Sequence, residues 1–499
     1  MIGKRCLAWA AGLVLAGFGL WGCRPQPAGL PGATAAPTVA IVQGETLERP
    51  AATPNPTPTP PAATATEVVS RPISAESPTP PPPLSPTPAP PAATFAPPDP
   101  AWPTPLLPIP TPAPPLARSA DIINIILLGN DNAYIRGGRT DTLIIASINT
   151  RAKTASLLSL PRDLYVYIPG WTLERINLAA PHGWGVNYPA GGGQLIKDTI
   201  LYNTGIPIDY YVRVGFDGFK RIVDTLKGVD VPVICPLTDW RLKAPDLDQT
   251  LEENWEQFTL ERGVQHMDGD LALWYARSRK TTSDLERGRR QQQVIAAILE
   301  RGVTRDWISH VSELWGVFED EVETDLDLTM LVKLAALAPA VRANGVRHLW
   351  LGNGALQNLT LSGKWLQRLD WEKAQPVFKQ LLAPPTLGRG ARGALTVEVV
   401  TNNDEAYQLS AENLIWQGFY PVHTQAPDLH TETGLFPQTS LTYHGPNFKG
   451  AYEWLLSWVF SNTPVTLDPQ PDAAYDYQVQ LGVDFNSCRS PLTAPEQAP

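Results

Sequence analysis

Apolar runs rich in Ile and Leu mark the beginning of the part of the chain that can fold. They cover residues 122–128, 143–148 and 155–160. Short runs of this composition, with little alternation of polar and apolar positions, are typical of strands buried on both faces. The pattern therefore predicts three strands in the centre of a covered sheet.

Strands and helices alternate over the residues that follow. A loop rich in Gly, Trp and Pro is predicted over 170–193. After it the predicted elements are a helix at 194–202, a strand at 208–214, a helix at 216–226 closed by Gly228, and a strand at 229–234. This alternation predicts an α/β fold with a mixed or mostly parallel central sheet that helices cover on both faces.

Two helices with charged ends come next. Asp268 is a favourable N-cap for the first helix, which carries Arg277 and Arg279 to its exit. Residues 284–287 then open a long helix over 289–301. Both helices therefore place charged residues where they begin or end.

The first folded unit is predicted to span residues 119–385, with its last part, to Leu382, mainly helical. A second, small α/β unit is predicted over 393–487, followed by a tail at 488–499. Its predicted elements are strands at 395–400, 440–443 and 477–481 and helices at 406–417 and 449–460.

The N-terminus has the features of an export signal. A short basic segment precedes an apolar run over residues 7–22, which is shorter than the roughly 20 residues of a membrane-spanning helix. The run ends in Leu-Trp-Gly-Cys23, which resembles a bacterial lipobox. Residues 1–23 are therefore predicted to be a lipoprotein signal, with an uncleaved membrane anchor or free secretion as alternatives. Each alternative places the rest of the chain outside the cytoplasmic membrane.

Residues 24–118 form a predicted linker rich in Pro, Thr and Ala. The chain contains 52 prolines, and many of them lie in this segment. Such a composition cannot bury a core and favours polyproline II, so the segment is predicted to be a disordered spacer. At about 3.1 Å per residue its greatest reach is roughly 300 Å.

Charge and cysteine content narrow the possible functions. The chain has 39 basic and 49 acidic residues, a net charge of −10, which argues against nucleic acid as a partner. Its four cysteines include no Cys-x-x-Cys pair, so a zinc site is not expected. Cys235 and Cys488 could form a disulfide outside the cell.

Charged residues cluster where the first predicted strands meet loops. Asp131, Arg139, Asp141 and Arg162 all lie at such positions, which is where open α/β sheets bind ligands. Carboxylates and arginines together suit a divalent cation that holds a phosphorylated substrate. Turn acids and surface ion pairs would produce the same pattern.

Several short motifs follow one another in order along the chain. They are Leu-Gly-Asn-Asp131, Arg139-Thr-Asp-Thr, Leu-Pro-Arg-Asp163, Gly205-Ile-Pro-Ile-Asp-Tyr-Tyr, Phe216-Asp-Gly-Phe, Gly228-Val-Asp-Val, His266-Met-Asp-Gly, Ala276-Arg-Ser-Arg279 and Arg287-Gly-Arg-Arg-Gln-Gln-Gln. Together these motifs resemble the LytR–CpsA–Psr (LCP) family of cell-wall phosphotransferases. The resemblance covers roughly residues 121–383, and residues 394–485 resemble the LytR C-terminal domain.

The resemblance implies transfer of a glycopolymer phosphate from a polyprenyl-pyrophosphate carrier to a sugar hydroxyl of the cell wall. The implied partners are this lipid-linked glycopolymer, a peptidoglycan-type acceptor glycan and the cytoplasmic membrane, which the N-terminus contacts. Mg²⁺, or Mn²⁺, is the implied cofactor, with Asp131 and Asp141 as its ligands. Both cations accept oxygen ligands, and Mg²⁺ binds through one or two carboxylates together with phosphate and water.

Further site residues follow from the positions of the family motifs. Five arginines are implied to bind phosphate: Arg139, Arg162, Arg277, Arg279 and Arg287. Asp163 is an orienting group or a base, and Asp284 could assist the acceptor hydroxyl or cap a helix. Arg175 and Gln291 are implied substrate contacts, and Phe216 and Trp274 are candidates for the lipid tunnel or for ordinary core packing.

The same residues are compatible with other functions. The same metal and arginines could hydrolyse polyprenyl pyrophosphate with water, which the sequence does not distinguish from transfer. A non-catalytic wall-polymer binding protein is disfavoured because both aspartates are present. Transcription regulation is disfavoured by the export signal, the acidic charge and the lack of a helix-turn-helix.

Overall fold

The computed structural model describes residues 95–102, 104–132, 138–244, 246–279, 281–304, 321–352, 354–383, 395–445, 452–470 and 472–489. Cys23, the predicted signal and most of the predicted linker lie outside the described residues. In the described ranges no helix is long and apolar enough to cross a membrane.

Strands supply most of the framework of the first part of the chain. In chain order they are β1 (Ile122–Asn130), β2 (Thr140–Asn149), β3 (Thr154–Ser159), β4 (Tyr165–Tyr167), β5 (Leu173–Arg175), β6 (Tyr210–Val214), β7 (Val229–Val233), β8 (Leu237–Leu242), β9 (Trp255–Leu260), β10 (Gly263–Met267), β11 (Val322–Thr324), β12 (Val346–Leu349), β13 (Leu356–Leu361) and β14 (Lys364–Leu369). The helices are α1 (Ala179–Gly185), α2 (Gly191–Thr204), α3 (Phe216–Thr225), α4 (Gly269–Arg277), α5 (Asp284–Thr304), α6 (Leu328–Asn344) and α7 (Trp371–Leu381).

The central sheet has six strands in the order β11-β6-β1-β2-β3-β12. Three neighbouring pairs are antiparallel, β11 with β6, β1 with β2, and β2 with β3. The other two, β6 with β1 and β3 with β12, are parallel. The mixed sheet is therefore confirmed, and the mostly parallel alternative is wrong because short connections join β1 to β2 and β2 to β3 as hairpins.

Helices cover both faces of this sheet, as the sequence predicts. Ile145 on β2 packs in one apolar cluster with Leu195 of α2 and Phe378 of α7. The next residue along the strand, Ile144, lies in a second cluster against Ile295 of α5. Successive side chains of a strand point to opposite faces, so both faces of the sheet are buried.

The pairing of the first three strands brings their charged ends to one edge. Asn130 at the end of β1 pairs with Thr140 at the start of β2. Ser159 at the end of β3 pairs with Ile144 in the first half of β2. The residues that follow β1, begin β2 and follow β3 therefore lie near one another.

Two stretches differ from the sequence prediction. The loop predicted over 170–193 contains β5 and α1, and the segment predicted to be mainly helical to Leu382 contains strands β11 to β14. The hairpin of β13 and β14 turns through Ser362 and Gly363, both with positive φ. Its half-polar strands lack the long apolar run that marks the central strands.

Residues near the end of the predicted linker lie against the folded unit. The ring of Phe95 packs edge-on against Tyr202 with centroids 5.0 Å apart. The amide of Ala113 donates to the Tyr202 carbonyl at 2.7 Å, and the amide of Leu116 donates to the Gly205 carbonyl at 2.8 Å. Apolar residues between the prolines let this extended segment lie against the fold.

The C-terminal part contains the elements β15 (Thr396–Val400), α8 (Asp404–Trp416), β16 (Tyr420–Thr424), β17 (Ser440–Tyr443), α9 (Glu453–Val459), β18 (Val465–Leu467) and β19 (Tyr477–Gln480). Its five strands form a separate sheet in the order β16-β15-β19-β17-β18, with its own apolar core. This α/β arrangement agrees with the prediction for the second unit. The domain boundaries stay predictions, since residues 384–394 are not among those described.

Candidate active site

Asp131 and Arg139 face each other where β1 leaves and β2 enters the sheet. The Asp131 carboxylate accepts a hydrogen bond from the Arg139 amide at 2.6 Å, and the Asp131 amide donates to the Arg139 carbonyl at 2.9 Å. Gly138 between them has a φ of +74°, and a Cβ there would lie 2.5 Å from an Asp131 carboxylate oxygen. The turn therefore needs glycine to hold Asp131 in this position.

A chain of alternating charges continues from Asp141. One Asp141 oxygen pairs with the Arg162 guanidinium, whose Nε lies 3.3 Å from an oxygen of Asp163. The other Asp163 oxygen lies 3.1 Å from Nε of Arg175. The residue after β2 begins and the residues after β3 ends are thus joined through their side chains, as the strand pairing requires.

Charge compensation keeps the Arg162 guanidinium ionised. Burial acts to lower the pKa of Arg162, but the neighbouring Asp141 and Asp163 carboxylates outweigh it and the pKa is raised. Asp284, at the start of α5, contributes in the same direction. Arg162 is therefore a permanent positive charge that several carboxylates hold in place.

Asn177 also belongs to this cluster, although no sequence motif indicates it as a site residue. It is 2% exposed, and its amide nitrogen donates to the second Asp141 oxygen at 3.0 Å. Its carbonyl side-chain oxygen is buried without a hydrogen-bond partner among the described residues. Asn177 therefore orients Asp141, and a single asparagine in a loop-like stretch gives no sequence signal for that role.

Arg277 comes to the cluster from the end of α4. Its guanidinium carbon lies 4.0 Å from the centre of the Phe216 ring, a stacked cation–π contact. Desolvation lowers the pKa of Arg277, and the charges of Asp141 and Asp131 oppose that shift. Phe216 therefore serves here as a support for an arginine.

The beginning of α5 brings Asp284 and Arg287 beside these groups. The two side chains pair at 3.3 Å. Burial lowers the pKa of Arg287, with the Asp284 charge opposing and the Arg162 and Arg279 charges adding to the shift. Arg279 is held through its backbone, since its amide donates to the Asp239 carboxylate at 2.9 Å.

Gln291 and Trp274 both donate side-chain hydrogen bonds to backbone carbonyls. The Gln291 amide donates to the Ala276 carbonyl at 3.3 Å, which ties α5 to the end of α4. The Trp274 indole donates to the Trp240 carbonyl at 2.9 Å, and its ring lies against an apolar cluster of α3, α4, α5 and β7 to β10. This position of Trp274 is compatible with both predicted roles, contact with the lipid and core packing.

The carboxylate oxygens of Asp131 and Asp141 are the type of ligand that fits a Mg²⁺ ion, which also binds phosphate and water. Within the described ranges no group of three or more His, Cys, Asp and Glu side chains could hold a metal by itself. A Mg²⁺ site does not require one, because one or two carboxylates suffice when substrate phosphates complete the shell. A carboxylate offers about four acceptor positions, so the donors to Asp141 do not exhaust its capacity.

A separate cleft of about 970 Å³ lies at the junction of α5, α6, α8 and β16. Its walls include the exposed pair of Glu300 and Arg342 and the rings of Tyr407 and Tyr420. None of the described residues that line it belongs to the predicted site. The cleft is therefore distinct from the charged cluster at the sheet edge.

Comparison with known proteins agrees with the motifs. Residues 111–382, just over half of the chain, match the model of the LytR_cpsA_psr family. The chain belongs to this family. The resemblance inferred from the sequence motifs is thereby confirmed. The match ends at residue 382, so the C-terminal α/β part lies beyond it.

Relatives of this LytR_cpsA_psr protein are named as transferases. The polyisoprenyl-teichoic acid–peptidoglycan teichoic acid transferase TagU of Oceanobacillus iheyensis is 31% identical over 268 residues, covering 53% of this chain and 77% of the relative. TagT of Bacillus subtilis, with the same activity in its name, is 28% identical and covers 52% and 76%. The crystal structure of B. subtilis TagV is 26% identical with a TM-score of 0.43, covering 53% of this chain and 96% of that one.

Proposed function

We propose that this protein is an extracytoplasmic phosphotransferase. It moves a glycopolymer phosphate from a polyprenyl-pyrophosphate carrier to a sugar hydroxyl of the cell wall. Membership of the LytR_cpsA_psr family and the transferase names of its relatives support this proposal. The observation that carries it is the cluster of Arg162, Arg277 and Arg287 around Asp141 at one edge of the sheet.

The arginines bind the pyrophosphate and stabilise the charge that develops during transfer. Phosphoryl transfer depends chiefly on positioning and charge stabilisation, because the transition state spreads negative charge over phosphate oxygens. A guanidinium binds such oxygens bidentately and stays ionised. Arg162 is fixed by Asp141 and Asp163, and Arg277 by the Phe216 ring, so both are oriented before substrate binds.

Two carboxylates in the cluster have different roles in the proposed reaction. Asp163 pairs with both Arg162 and Arg175, and this double pairing suits an orienting group. Asp284 pairs only at 3.3 Å with Arg287, and its side chain is 35% exposed, which leaves it accessible to substrate. Asp284 is the proposed acceptor of the proton from the attacking sugar hydroxyl.

A Mg²⁺ or Mn²⁺ ion is part of the proposal, with Asp131 and Asp141 as ligands. When bound, the cation neutralises part of the charge on the pyrophosphate oxygens. Asn177 orients Asp141 toward this role through its 3.0 Å hydrogen bond, and the Gly138 turn orients Asp131.

The proposed substrates and location follow from the same features. The apolar cluster that contains Trp274 and Phe258 is the proposed contact for the polyprenyl chain. The chain is proposed to act at the outer face of the cell membrane, held there through its N-terminus. The disulfide between Cys235 and Cys488 supports an oxidising compartment outside the cytoplasm.

The proposal is tested by transfer of label from a polyprenyl-pyrophosphate-linked glycan to peptidoglycan. Wild type is compared with Asp141→Ala, in Mg²⁺ and in excess EDTA, and Asp428→Ala, an exposed acid of the C-terminal part, serves as the control. We expect transfer to fall by about 10²–10³ in Asp141→Ala, in line with loss of one transition-state charge contact. The control should retain wild-type rates.

The outcomes separate the alternatives. Release of label into water without attachment to peptidoglycan would make the protein a polyprenyl-pyrophosphate hydrolase. Full transfer in EDTA would contradict the metal, while leaving the transfer itself in place. Binding of the lipid with neither reaction would leave a wall-polymer binding protein.

A further inference from the structure

The hairpin of β13 and β14 contacts two residues of the charged site. The amide of Gln367 donates to the Asp163 carbonyl at 3.0 Å, and Gln367 pairs in parallel with Leu164. On the same strand, the Trp365 carbonyl accepts from Nη2 of Arg175 at 2.9 Å. Two site residues are thus in direct contact with β14.

One face of this hairpin combines an aromatic ring with uncharged polar groups. In the antiparallel register Trp365 pairs with Thr360 and Gln367 pairs with Asn358, so all four side chains lie on the same face. Trp365 is 44% exposed. Its ring is therefore accessible to a ligand on the face that carries the polar groups.

Gln367 has an unsatisfied atom on this face. Its amide nitrogen lies 3.4 Å from the Asn358 oxygen, toward which it donates. Its own oxygen is buried without a hydrogen-bond partner among the described residues. A buried acceptor without a donor costs free energy, and rotation of the Gln367 amide toward a ligand hydroxyl would relieve that cost.

The chemistry of the face matches a sugar ring. A pyranose presents C–H groups on its flat sides and hydroxyl or acetamido groups at its edges. The first can pack on an indole and the second can bond to amides and hydroxyls, which is the usual composition of a specific ligand site. Trp365, Thr360, Asn358 and Gln367 carry no charge, so the face offers nothing that favours phosphate.

We propose that this face, the β13–β14 hairpin face, binds the acceptor glycan of the cell wall next to the attacking hydroxyl. The inference rests on the proposed function. The hairpin contacts the cluster at Asp163 and Arg175, whereas the apolar cluster proposed for the lipid adjoins α3, α4 and α5. In-line transfer needs separate places for the leaving and attacking oxygens, and the hairpin supplies the second place.

The test uses a soluble fragment of wall-type glycan, the β-1,4-linked N-acetylglucosamine tetrasaccharide. Its binding to the full chain is measured by calorimetry for wild type, Trp365→Ala and Trp102→Ala. Trp102 is a matched control, since it is 47% exposed and packs edge-on against Trp171 with ring centroids 5.3 Å apart. Binding of polyprenyl pyrophosphate with and without an attached sugar is measured in parallel, and melting temperatures report the fold.

We expect Trp365→Ala to weaken tetrasaccharide binding about tenfold or more, as loss of a central tryptophan does in other interfaces. Its affinity for the sugar-free polyprenyl pyrophosphate should equal that of wild type, and Trp102→Ala should bind both ligands normally. Gln367→Leu should also weaken the tetrasaccharide, with the lipid unaffected.

Three results would overturn the assignment. Wild type could fail to bind the tetrasaccharide, or Trp365→Ala could bind it as wild type does. A loss confined to sugar-bearing polyprenyl pyrophosphate would assign the face to the donor glycan instead. Failure of the proposed function is distinguishable, because it would abolish reaction with the lipid while the tetrasaccharide measurements remain interpretable.

Discussion

At the scale of single residues, the fork shape of Arg162 matters more than its charge. Its Nη1 group pairs with Asp141 and its Nε group with Asp163. A lysine ammonium is a point charge on a flexible stem, and it cannot make both contacts while also binding a phosphate bidentately. The arrangement therefore requires arginine at position 162.

Arg162→Lys should lower turnover of the polyprenyl-pyrophosphate substrate by about 10²–10³, the usual effect of losing one transition-state charge contact. The control is Arg342→Lys, because Arg342 makes an exposed pair with Glu300 and belongs to none of the sequence motifs. Exposed pairs contribute at most about 1 kcal/mol, so this variant should react normally. Equal turnover of wild type and Arg162→Lys would show that only a positive field is needed at this position.

Charged residues at strand ends could be predicted from the sequence, and their buried partners could not. Asp131, Arg139, Asp141 and Arg162 follow or precede apolar runs, which gives them a recognisable pattern. Asn177 also donates a hydrogen bond to Asp141, yet it lies in a stretch without periodicity. Its role depends on the fold of β5 and the residues after it, which sequence alone does not place.

At the scale of elements, α5 is the helix that joins the charged site to the rest of the fold. Its Gln292 amide donates to the Ser159 hydroxyl at 2.8 Å and to the Leu349 carbonyl at 3.1 Å. The Gln292 oxygen lies 2.8 Å from Nδ1 of His348 on β12. These buried bonds fix the helix that carries Arg287 against strands β3 and β12.

Because His348 belongs to this network, the stability of the fold depends on pH. Burial, with a smaller contribution from the Arg289 charge, lowers the pKa of His348 to about 4, so the folded protein keeps the imidazole neutral. The unfolded chain binds a proton near the ordinary value of about 6.5. Stability is therefore greatest above that pH and falls as the pH decreases from about 6.5 toward 4.

His348→Gln should reduce the acid sensitivity of unfolding. Between pH 7.5 and pH 5, protonation of His348 in the unfolded chain lowers the free energy of unfolding of wild type by about 2 kcal/mol. A difference of one pKa unit corresponds to about 1.4 kcal/mol. The measurement is the free energy of unfolding in denaturant at both pH values. His430→Gln, which changes an exposed histidine, is the control and should keep the wild-type dependence. An unchanged slope in His348→Gln would mean that other groups cause the acid loss.

Long apolar and amphipathic elements could be predicted from the sequence better than the short strands. The helix predicted over 216–226 is observed at Phe216–Thr225, and the apolar run over 122–128 lies in the strand observed at Ile122–Asn130. The β13–β14 hairpin was missed. Its strands alternate only weakly because one face meets the core at Leu356 and Leu369 and is exposed at Asn358, Thr360 and Trp365. Tertiary packing defines such strands more than their composition does.

At the scale of the whole molecule, the C-terminal part is joined to the helix that carries the site. Arg289 on α5 is 2% exposed, and its Nη2 donates to the Glu412 carbonyl at 3.2 Å and to the Asn413 side chain at 3.0 Å. The Ser487 hydroxyl donates to the Ile234 carbonyl at 2.7 Å. These contacts tie the second sheet to the elements on which Arg287 depends.

The disulfide closes this junction over a long stretch of chain. Cys235 and Cys488 are 253 residues apart in sequence. A cross-link over so many residues restricts the unfolded chain strongly, and removal of native disulfides typically costs about 2–5 kcal/mol. The sequence could suggest this pair only as an option, because pairing across two units depends on how the units dock.

The double variant Cys235→Ser/Cys488→Ser should therefore unfold at a lower denaturant concentration than oxidised wild type, by about 2–5 kcal/mol of unfolding free energy. Reduced wild type should match the variant, and reductant should leave the variant unchanged, which controls for effects of the serines. Turnover of the polyprenyl-pyrophosphate substrate below the transition should survive in the variant, because the Arg289 and Ser487 contacts still hold the junction. If reduction abolishes turnover while the protein stays folded, the cross-link itself positions α5, and the buried contacts alone are not sufficient to do so.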